Sequence, residues 1–257
     1  MEGFKACFEG LQDPRTGNAA RHDLLEMLLI ALCTVLCGGE DCTDMAEFAR
    51  TKLEFLRSFL KLEHGAPSHD TFSRLFRLLD PEQFRVCFQR FVSCFAEACQ
   101  GVVAIDGKTL RRSFDKARGR SPLHMISAWS CEQRLVLGQL AVEAKSNEIT
   151  AIPKLLRMLS LQGCTVTVDA LNCQREIARQ IMRSHWAIET RLHWCLDVLM
   201  NEDQMRNRAG HSAENLAILR HMALNLLRKE SSKGSLRKKF HRAAWSDAFL
   251  LKILAQV

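Results

Sequence analysis

The stretch Val102-Val103-Ala104-Ile105-Asp106-Gly107-Lys108 decides the fold of this chain, because it predicts a buried strand that ends at a carboxylate. A second stretch of the same kind, Cys164-Thr165-Val166-Thr167-Val168, ends at Asp169. A carboxylate just past a buried strand is held rigidly while its tip reaches solvent. A third acidic residue, Glu189, lies downstream in a segment whose apolar residues recur at helical spacing.

The segments around these stretches predict a mixed α/β fold. Residues 20–99 show apolar residues at helical spacing, and the predicted helices include one over about 44–60 and one that begins at about Pro81 and runs to about Cys99. Residues 101–182 read as strands over 102–105, 123–131 and 134–142, then a helix over 147–161, a strand over 164–168 and a helix over 174–182. From residue 184 the chain reads as helical again, over about 184–200 and 212–229, with a basic loop over 229–242 before a final helix over 246–255. We therefore expect two domains, a helical one over 1–100 and a sheet-containing one over 101–257.

The charge of the chain is uneven. The net charge is +7, and residues 183–257 account for +6 of it, with 13 Lys/Arg against 7 Asp/Glu. A basic segment of this kind favours a polyanionic partner such as nucleic acid. The alternative is a basic face that is merely solvated.

The cysteines and the apolar segments favour an intracellular protein without a membrane span. The chain has 11 cysteines but no C-x-x-C pair, so a zinc site or disulfide framework is not indicated. Several of them lie in apolar helical patterns, where cysteine acts as a small hydrophobe, namely Cys33, Cys37, Cys87, Cys94 and Cys195. The apolar run from Leu24 to Cys37 is too short for a bilayer and contains Glu26. We expect no signal peptide and a reducing, cytoplasmic location.

The three acidic residues Asp106, Asp169 and Glu189 are candidate catalytic and metal-binding residues. Carboxylates on rigid elements can hold two divalent ions for attack on a phosphodiester. Magnesium prefers such oxygen ligands, and Mn²⁺ is the alternative ion. Each carboxylate also has an ordinary explanation, since an Asp after a strand is commonly a cap or turn residue and a Glu beside an apolar stripe is commonly solvated.

Basic and aromatic side chains flank these candidates. Lys108, Arg111 and Arg112 follow Asp106 directly and place cations where a phosphate backbone would lie. Further candidate DNA-binding residues surround Glu189, namely Arg183, His185 and Arg191. The four-residue spacing of His185, Glu189 and His193 is also compatible with zinc, but no further ligand motif accompanies it. Trp186 and Trp194 are predicted core residues.

With these motifs the chain resembles the DDE-type transposases of bacterial insertion sequences, in particular the group of H-repeat-associated proteins. The resemblance covers nearly the whole chain. Its motifs include Asp13-Pro14-Arg15, Pro67-Ser68-His69-Asp70-Thr71-Phe72, Ala104-Ile105-Asp106-Gly107-Lys108-Thr109-Leu110-Arg111, Thr167-Val168-Asp169-Ala170-Leu171, Ser184-His185-Trp186-Ala187-Ile188-Glu189 and Glu214-Asn215-Leu216-Ala217.

The resemblance implies an RNase H-like catalytic core behind a helical, transposase-associated N-terminal domain. It implies that Asp106, Asp169 and Glu189 bind two Mg²⁺ ions. The implied reaction is hydrolysis at transposon ends, followed by attack of the freed 3′-hydroxyl on target DNA. The expected partners are transposon-end and target DNA and, in an active form, a second copy of the chain. The expected location is the bacterial nucleoid.

One spacing departs from the family pattern. Asp106 and Asp169 are 63 residues apart, as the family pattern expects, but Asp169 and Glu189 are only 20 apart. Relatives carry a long, partly β segment here, so the spacing indicates an internal deletion near Ile181–Met182. We expect a truncated sheet, hindered access of Glu189 to the aspartates, and weak or absent activity. The alternatives are a non-catalytic DNA-binding remnant and a relic with an incomplete core.

Overall fold

The described part of the chain in the computed structural model comprises residues 2–94, 101–115, 119–142, 148–168 and 187–257. Several predicted features lie outside these residues and are not described. They are Asp169, Arg183, His185, Trp186, the C-terminal end of the helix predicted to reach residue 99, the helix predicted over 174–182 and the deletion near Ile181–Met182.

Helices form the N-terminal part. They are α1 (Glu2–Cys7), α2 (Leu24–Leu36), α3 (Cys42–Thr51), α4 (Leu53–Arg57), α5 (His69–Leu78) and α6 (Pro81–Ser93). Side chains at their N-termini explain where they begin, because Asp23, Asp41, Ser68 and Asp80 each accept a hydrogen bond from a backbone N–H of the first turn. One long helix is predicted over 44–60, whereas the structure has two, because the backbone of Lys52 (φ −103°, ψ 21°) leaves the helical region.

A mixed four-stranded sheet follows, as the sequence predicts. Its strands are β1 (Gly101–Leu110), β2 (Leu123–Ser130), β3 (Leu135–Val142) and β4 (Cys164–Val168), in the order β3-β2-β1-β4. β1 and β2 are antiparallel, as are β2 and β3, while β1 and β4 are parallel. Helix α7 (Glu148–Arg157) lies between β3 and β4 in the chain, which is the type of connection that a parallel strand requires. The fold is therefore mixed α/β, consistent with a truncated RNase H-like core.

The register of the sheet places Asp106 well inside β1. The strand is longer than the four residues predicted, and Asp106 pairs with Ser127 of β2. Because side chains alternate along a strand, Asp106 and Lys108 point to the same face of the sheet. Among the described residues, the parallel pairing with β4 runs from Gly101 and Cys164 to Ile105 and Val168.

The C-terminal part is helical. A π-helical turn (Glu189–His193) continues into α8 (Trp194–Val198), and a 3-10 turn (Glu202–Gln204) precedes α9 (Ser212–Lys229), α10 (Leu236–Trp245) and α11 (Asp247–Leu254). Helix α10 replaces much of the basic loop predicted over 229–242. Ser235 caps its N-terminus. The buried Lys239 donates a hydrogen bond from Nζ to the carbonyl of Leu227 (3.0 Å), so this basic side chain makes contacts inside the protein rather than with solvent.

Helix α9 joins the helical layer and the sheet in one continuous core. It is buried along almost its whole length and packs against α2, α5, α6 and β3. The amide of Asn215 donates to the carbonyls of Phe76 (3.0 Å) and Leu79 (2.9 Å) at the end of α5. The amide of Asn225 exchanges two hydrogen bonds with the backbone of Val136 in β3, each 2.9 Å long. The domain boundary near residue 100 stays a prediction.

Two expectations about apolar segments and thiols also bear on the fold. Within the described ranges, no helix combines the length and the apolar character that a membrane span requires. Cys33, Cys87 and Cys195 are buried free thiols, as their helical patterns predict, whereas Cys94 is exposed.

Candidate metal centre

Asp106, Glu189 and His193 come together at one point of the fold. One ligand atom of each lies within 4.8 Å of the others. The Nδ1 atom of His193 is 3.4 Å from Oδ2 of Asp106 and 3.4 Å from Oε2 of Glu189. Of the three carboxylates predicted to meet, the structure therefore brings Asp106 and Glu189 together, and Asp169 lies outside the described residues.

Backbone geometry explains how Glu189 and His193 reach the strand. Both belong to the π-helical turn, in which the N–H of Trp194 donates to the carbonyl of Glu189, five residues earlier. Such single π turns inside helices are frequent at functional sites. The turn directs the side chains of Glu189 and His193 toward Asp106 of β1.

The site is buried on one side and open on the other. The side chains of Asp106 and His193 are 11% and 7% exposed, whereas that of Glu189 is 52% exposed. Burial lowers the pKa of His193, although nearby Glu189 partly opposes this effect. The imidazole is therefore neutral near pH 7, with a lone pair on one ring nitrogen. A solvent-borne group can approach from the side of Glu189.

The three side chains fit a divalent metal ion. They offer two carboxylate oxygens and one imidazole nitrogen, a ligand set common to several divalent metals. Neighbouring ligands on an ion with bonds of about 2.1 Å lie about 3 Å apart, close to the separations at His193. A zinc site that also includes His185 stays a prediction, because His185 lies outside the described residues.

Lys108 lies in an acidic cluster beside this site. Its Nζ atom is 2.6 Å from Asp197, 2.8 Å from Glu202 and 3.2 Å from Asp203. Glu202 is buried and also faces Arg220, at 3.6 Å. These carboxylates raise the pKa of Lys108 although its burial opposes the charge, so the amine is firmly protonated. The ammonium group of Lys108 thus forms ion pairs within the protein, which leaves little of it accessible to a phosphate.

The other predicted DNA-binding residues are placed differently. Arg111 is exposed, with Nε 3.4 Å from Asp203. The carbonyl of Arg112 accepts a hydrogen bond from Arg208 (2.9 Å), and Arg191 is exposed on the π-helical turn. A DNA contact by any of the three stays a prediction.

Two further side chains lie near the centre, and the sequence did not predict the placement of either. Trp194 is 52% exposed, so its prediction as a core residue was wrong; it follows His193 on the side of the helix that faces solvent. His221 of α9 is buried and lines a cavity of ≈ 10 Å³ together with Ser127, His193 and Glu202. The sequence offered a signal for His193, its position four residues after Glu189, but no signal for His221.

Known families match two consecutive parts of the chain. The DDE_Tnp_1-associated model matches residues 5–92, and the transposase DDE domain model matches residues 97–182. The second match ends where the spacing of the motifs places the deletion, so it includes Asp106 and Asp169 but not Glu189.

Bacterial relatives match over longer stretches. The chain is 38% identical over 174 residues to the H repeat-associated putative transposase YbfD of Escherichia coli K12, covering 67% of this chain and 69% of that protein. It is 48% identical over 183 residues to an uncharacterized protein in the dhlA 3′ region of Xanthobacter autotrophicus, covering 69% of this chain and 61% of that protein. No solved structure matches the chain.

A full-length comparison bears on the deletion. The chain is 29% identical to the H repeat-associated putative transposase YhhI of Escherichia coli K12 over 361 aligned positions, which cover 95% of this chain and 96% of that protein. Since the chain has 257 residues, at least 104 of the 361 positions have no residue here. The missing material is therefore internal, in agreement with the short spacing between Asp169 and Glu189.

Proposed function

Because this chain belongs to the DDE-type transposases of bacterial insertion sequences, we propose that it cleaves DNA at transposon ends and joins the freed 3′ ends to target DNA. The observation that carries the proposal is the contact between Asp106, His193 and Glu189. Glu189 lies beside Asp106 of β1 even though only 20 residues separate it from Asp169.

The residues of the site have distinct parts in this proposal. Asp106 and Glu189 bind divalent ions, with Asp169 as the third carboxylate predicted from the sequence. When bound, such ions activate the attacking oxygen and neutralise charge on the leaving oxygen. Mg²⁺ is the proposed ion, because it prefers carboxylate oxygens and keeps water and substrate as further ligands. The buried Asp106 keeps the site rigid, while the exposed side of Glu189 admits the DNA backbone.

DNA is the proposed substrate, and a homodimer the proposed active form. The +6 charge of residues 183–257 supports binding to a polyanion, and Arg111 and Arg191 are exposed cations near the site. A dimer provides one site for each of two transposon ends. The DNA partner would place the protein at the nucleoid.

A cleavage assay on DNA that carries the terminal repeats of the element tests the proposal. We expect Mg²⁺-dependent nicking by the wild-type chain and no detectable nicking by Asp106→Asn or Glu189→Gln. Asp70→Asn is the matched control, since its carboxylate is exposed on α5. Equal nicking by wild type and Asp106→Asn would refute the mechanism.

A second candidate function is a DNA-binding protein without catalysis. It is favoured by the internal loss of at least 104 aligned positions relative to YhhI, in an alignment that covers 96% of that protein. In that case DNA binding survives Asp106→Asn, falls steeply with salt, and is accompanied by no nicking in Mg²⁺. Cleavage by the wild type would exclude this candidate.

A further inference from the structure

We propose that Nδ1 of His193 is a direct ligand of the divalent ion held by Asp106 and Glu189, and that this nitrogen shifts the ion preference of the chain from Mg²⁺ toward Mn²⁺. The proposal rests on the metal centre of the proposed function. It adds a ligand that neither the carboxylate motif nor the family matches assign.

The position of Nδ1 is the first argument. The atom is 3.4 Å from a carboxylate oxygen of Asp106 and 3.4 Å from one of Glu189. Ligand atoms at right angles around one ion lie about 3 Å apart, so the two distances match a shared ion. An ion that contacted Asp106 and Glu189 would therefore have Nδ1 within bonding range after small side-chain shifts.

The other ring nitrogen is the second argument. Nε2 of His193 is buried and has no hydrogen-bond partner in the described part of the chain. His193 lines a cavity of ≈ 10 Å³ together with Ser127 and His221, and this cavity has room for about one water molecule. Both ring nitrogens of His221 are likewise without a hydrogen bond among the described residues.

This cavity completes the pattern of a metal-binding histidine. Such a histidine usually donates its second ring N–H to a carboxylate, a carbonyl or a water molecule, which fixes the tautomer. A water molecule between His193 and His221 would accept the proton on Nε2. The lone pair of Nδ1 would then point at the ion.

The ion preference follows from the chemistry of the ligands. Mg²⁺ is a hard ion that strongly prefers oxygen, whereas transition metals accept imidazole nitrogen readily. Replacing one oxygen ligand by nitrogen therefore favours Mn²⁺ over Mg²⁺ relative to a site built from carboxylates alone.

Pulsed electron paramagnetic resonance on the Mn²⁺-loaded full chain tests the ligand directly. We expect electron spin-echo envelope modulation from a coordinated ¹⁴N nucleus, which changes frequency when the histidines are labelled with ¹⁵N. In His193→Gln the modulation should disappear, and Mn²⁺ affinity should fall at least about tenfold. Mg²⁺ affinity, measured by competition, should fall by a smaller factor. His69→Gln is the matched control, since His69 is exposed on α5.

Each contrary outcome has a definite meaning. Bound Mn²⁺ without nitrogen modulation in the wild type would overturn the role of His193 and leave the carboxylate site intact. Nitrogen modulation that persists in folded His193→Gln would also overturn it. Absence of Mn²⁺ binding by the wild type, or unchanged binding in Asp106→Asn, would overturn the metal centre and with it the proposed function. Thermal melts establish that the substituted chains are folded, and His193→Asn replaces His193→Gln if the latter is not.

Discussion

Lys108 illustrates how neighbours decide what a residue does. Its position two residues after Asp106 predicts a phosphate contact, but its ammonium group lies among Asp197, Glu202 and Asp203. Those acidic residues come 89 or more positions later in the chain, so local sequence could not reveal them. Removing one partner from a buried charge cluster leaves the others uncompensated.

Lys108→Met should therefore destabilise the protein by about 3 kcal/mol, because Glu202 loses its nearest cation. Urea unfolding measures the change, with Lys233→Met as a matched substitution at an exposed position. Adding Glu202→Gln should restore part of the loss, since the two substitutions act on one contact. A stable Lys108→Met chain with weakened DNA binding would instead support the phosphate contact.

Glu230 gives the molecule an acid-sensitive contact. Burial alone would raise the pKa of Glu230, but hydrogen bonds from Lys252, Ser232 and Lys239 outweigh it and lower the pKa to about 2. The ionised form is thus favoured in the folded state, and its stabilising effect is complete above the ordinary value of 4.5. That effect is lost as pH falls from about 4.5 toward 2.

Glu230→Gln should therefore lower stability at pH 7 and have a shrinking effect below pH 4.5. Urea unfolding of both chains between pH 3 and pH 7 measures the difference. Parallel stability curves across this range would contradict the assignment.

Sequence reasoning singled out Asp106 and Glu189 mainly through the motifs that the chain shares with a known family, and the structure brings these two residues together. It did not favour a metal site that includes His193, because no further ligand motif accompanies the four-residue spacing of His185, Glu189 and His193. It placed Trp194 in the core, since an aromatic residue in an apolar helix is usually buried; the packing of α8 leaves it 52% exposed.

At the scale of elements, periodicity predicted most helices and strands. The strand over 164–168 and the helix over 212–229 agree with β4 and α9. The exceptions have local causes. The backbone of Lys52 interrupts the helix predicted over 44–60, and α10 was read as a loop because its many basic side chains hide its apolar face.

Asn225 is one of the side chains through which α9 contacts the sheet. Its amide satisfies both the N–H and the carbonyl of Val136 in the buried interior. Asn225→Ala should destabilise the protein by about 2–4 kcal/mol, because both backbone groups lose their partners without gaining water. Urea unfolding measures this loss, and amide hydrogen exchange at Val136 should accelerate. Asn18→Ala, at an exposed position, should change neither; an unchanged stability of Asn225→Ala would show that Val136 finds other partners.

At the scale of the whole molecule, the core is continuous from the N-terminal helices to the sheet. Buried residues of α2, α5 and α6 belong to the same apolar cluster as those of β1, β2 and β3, and α9 contacts both groups. The sequence predicts two domains from the change in periodicity near residue 100, and that boundary stays a prediction. Periodicity does not report that a later helix packs between two earlier segments, because that contact depends on tertiary structure.

A fragment of residues 1–100 should therefore fail to fold by itself. Without α9, the buried faces of α2, α5 and α6 would be exposed to water. We expect a broad, non-cooperative thermal melt by circular dichroism and poor dispersion of amide proton signals, whereas the full chain melts cooperatively. A sharp melt of the fragment would establish the N-terminal segment as an independent domain.

The place of α9 in the chain has a consequence for how this protein arose. Helix α9 follows the short segment between Asp169 and Glu189 in the sequence. The N-terminal helices and β3, against which it packs, all precede that segment. The loss of at least 104 aligned positions relative to YhhI therefore leaves in place the segments that form α9 and the elements it packs against, α2, α5, α6 and β3.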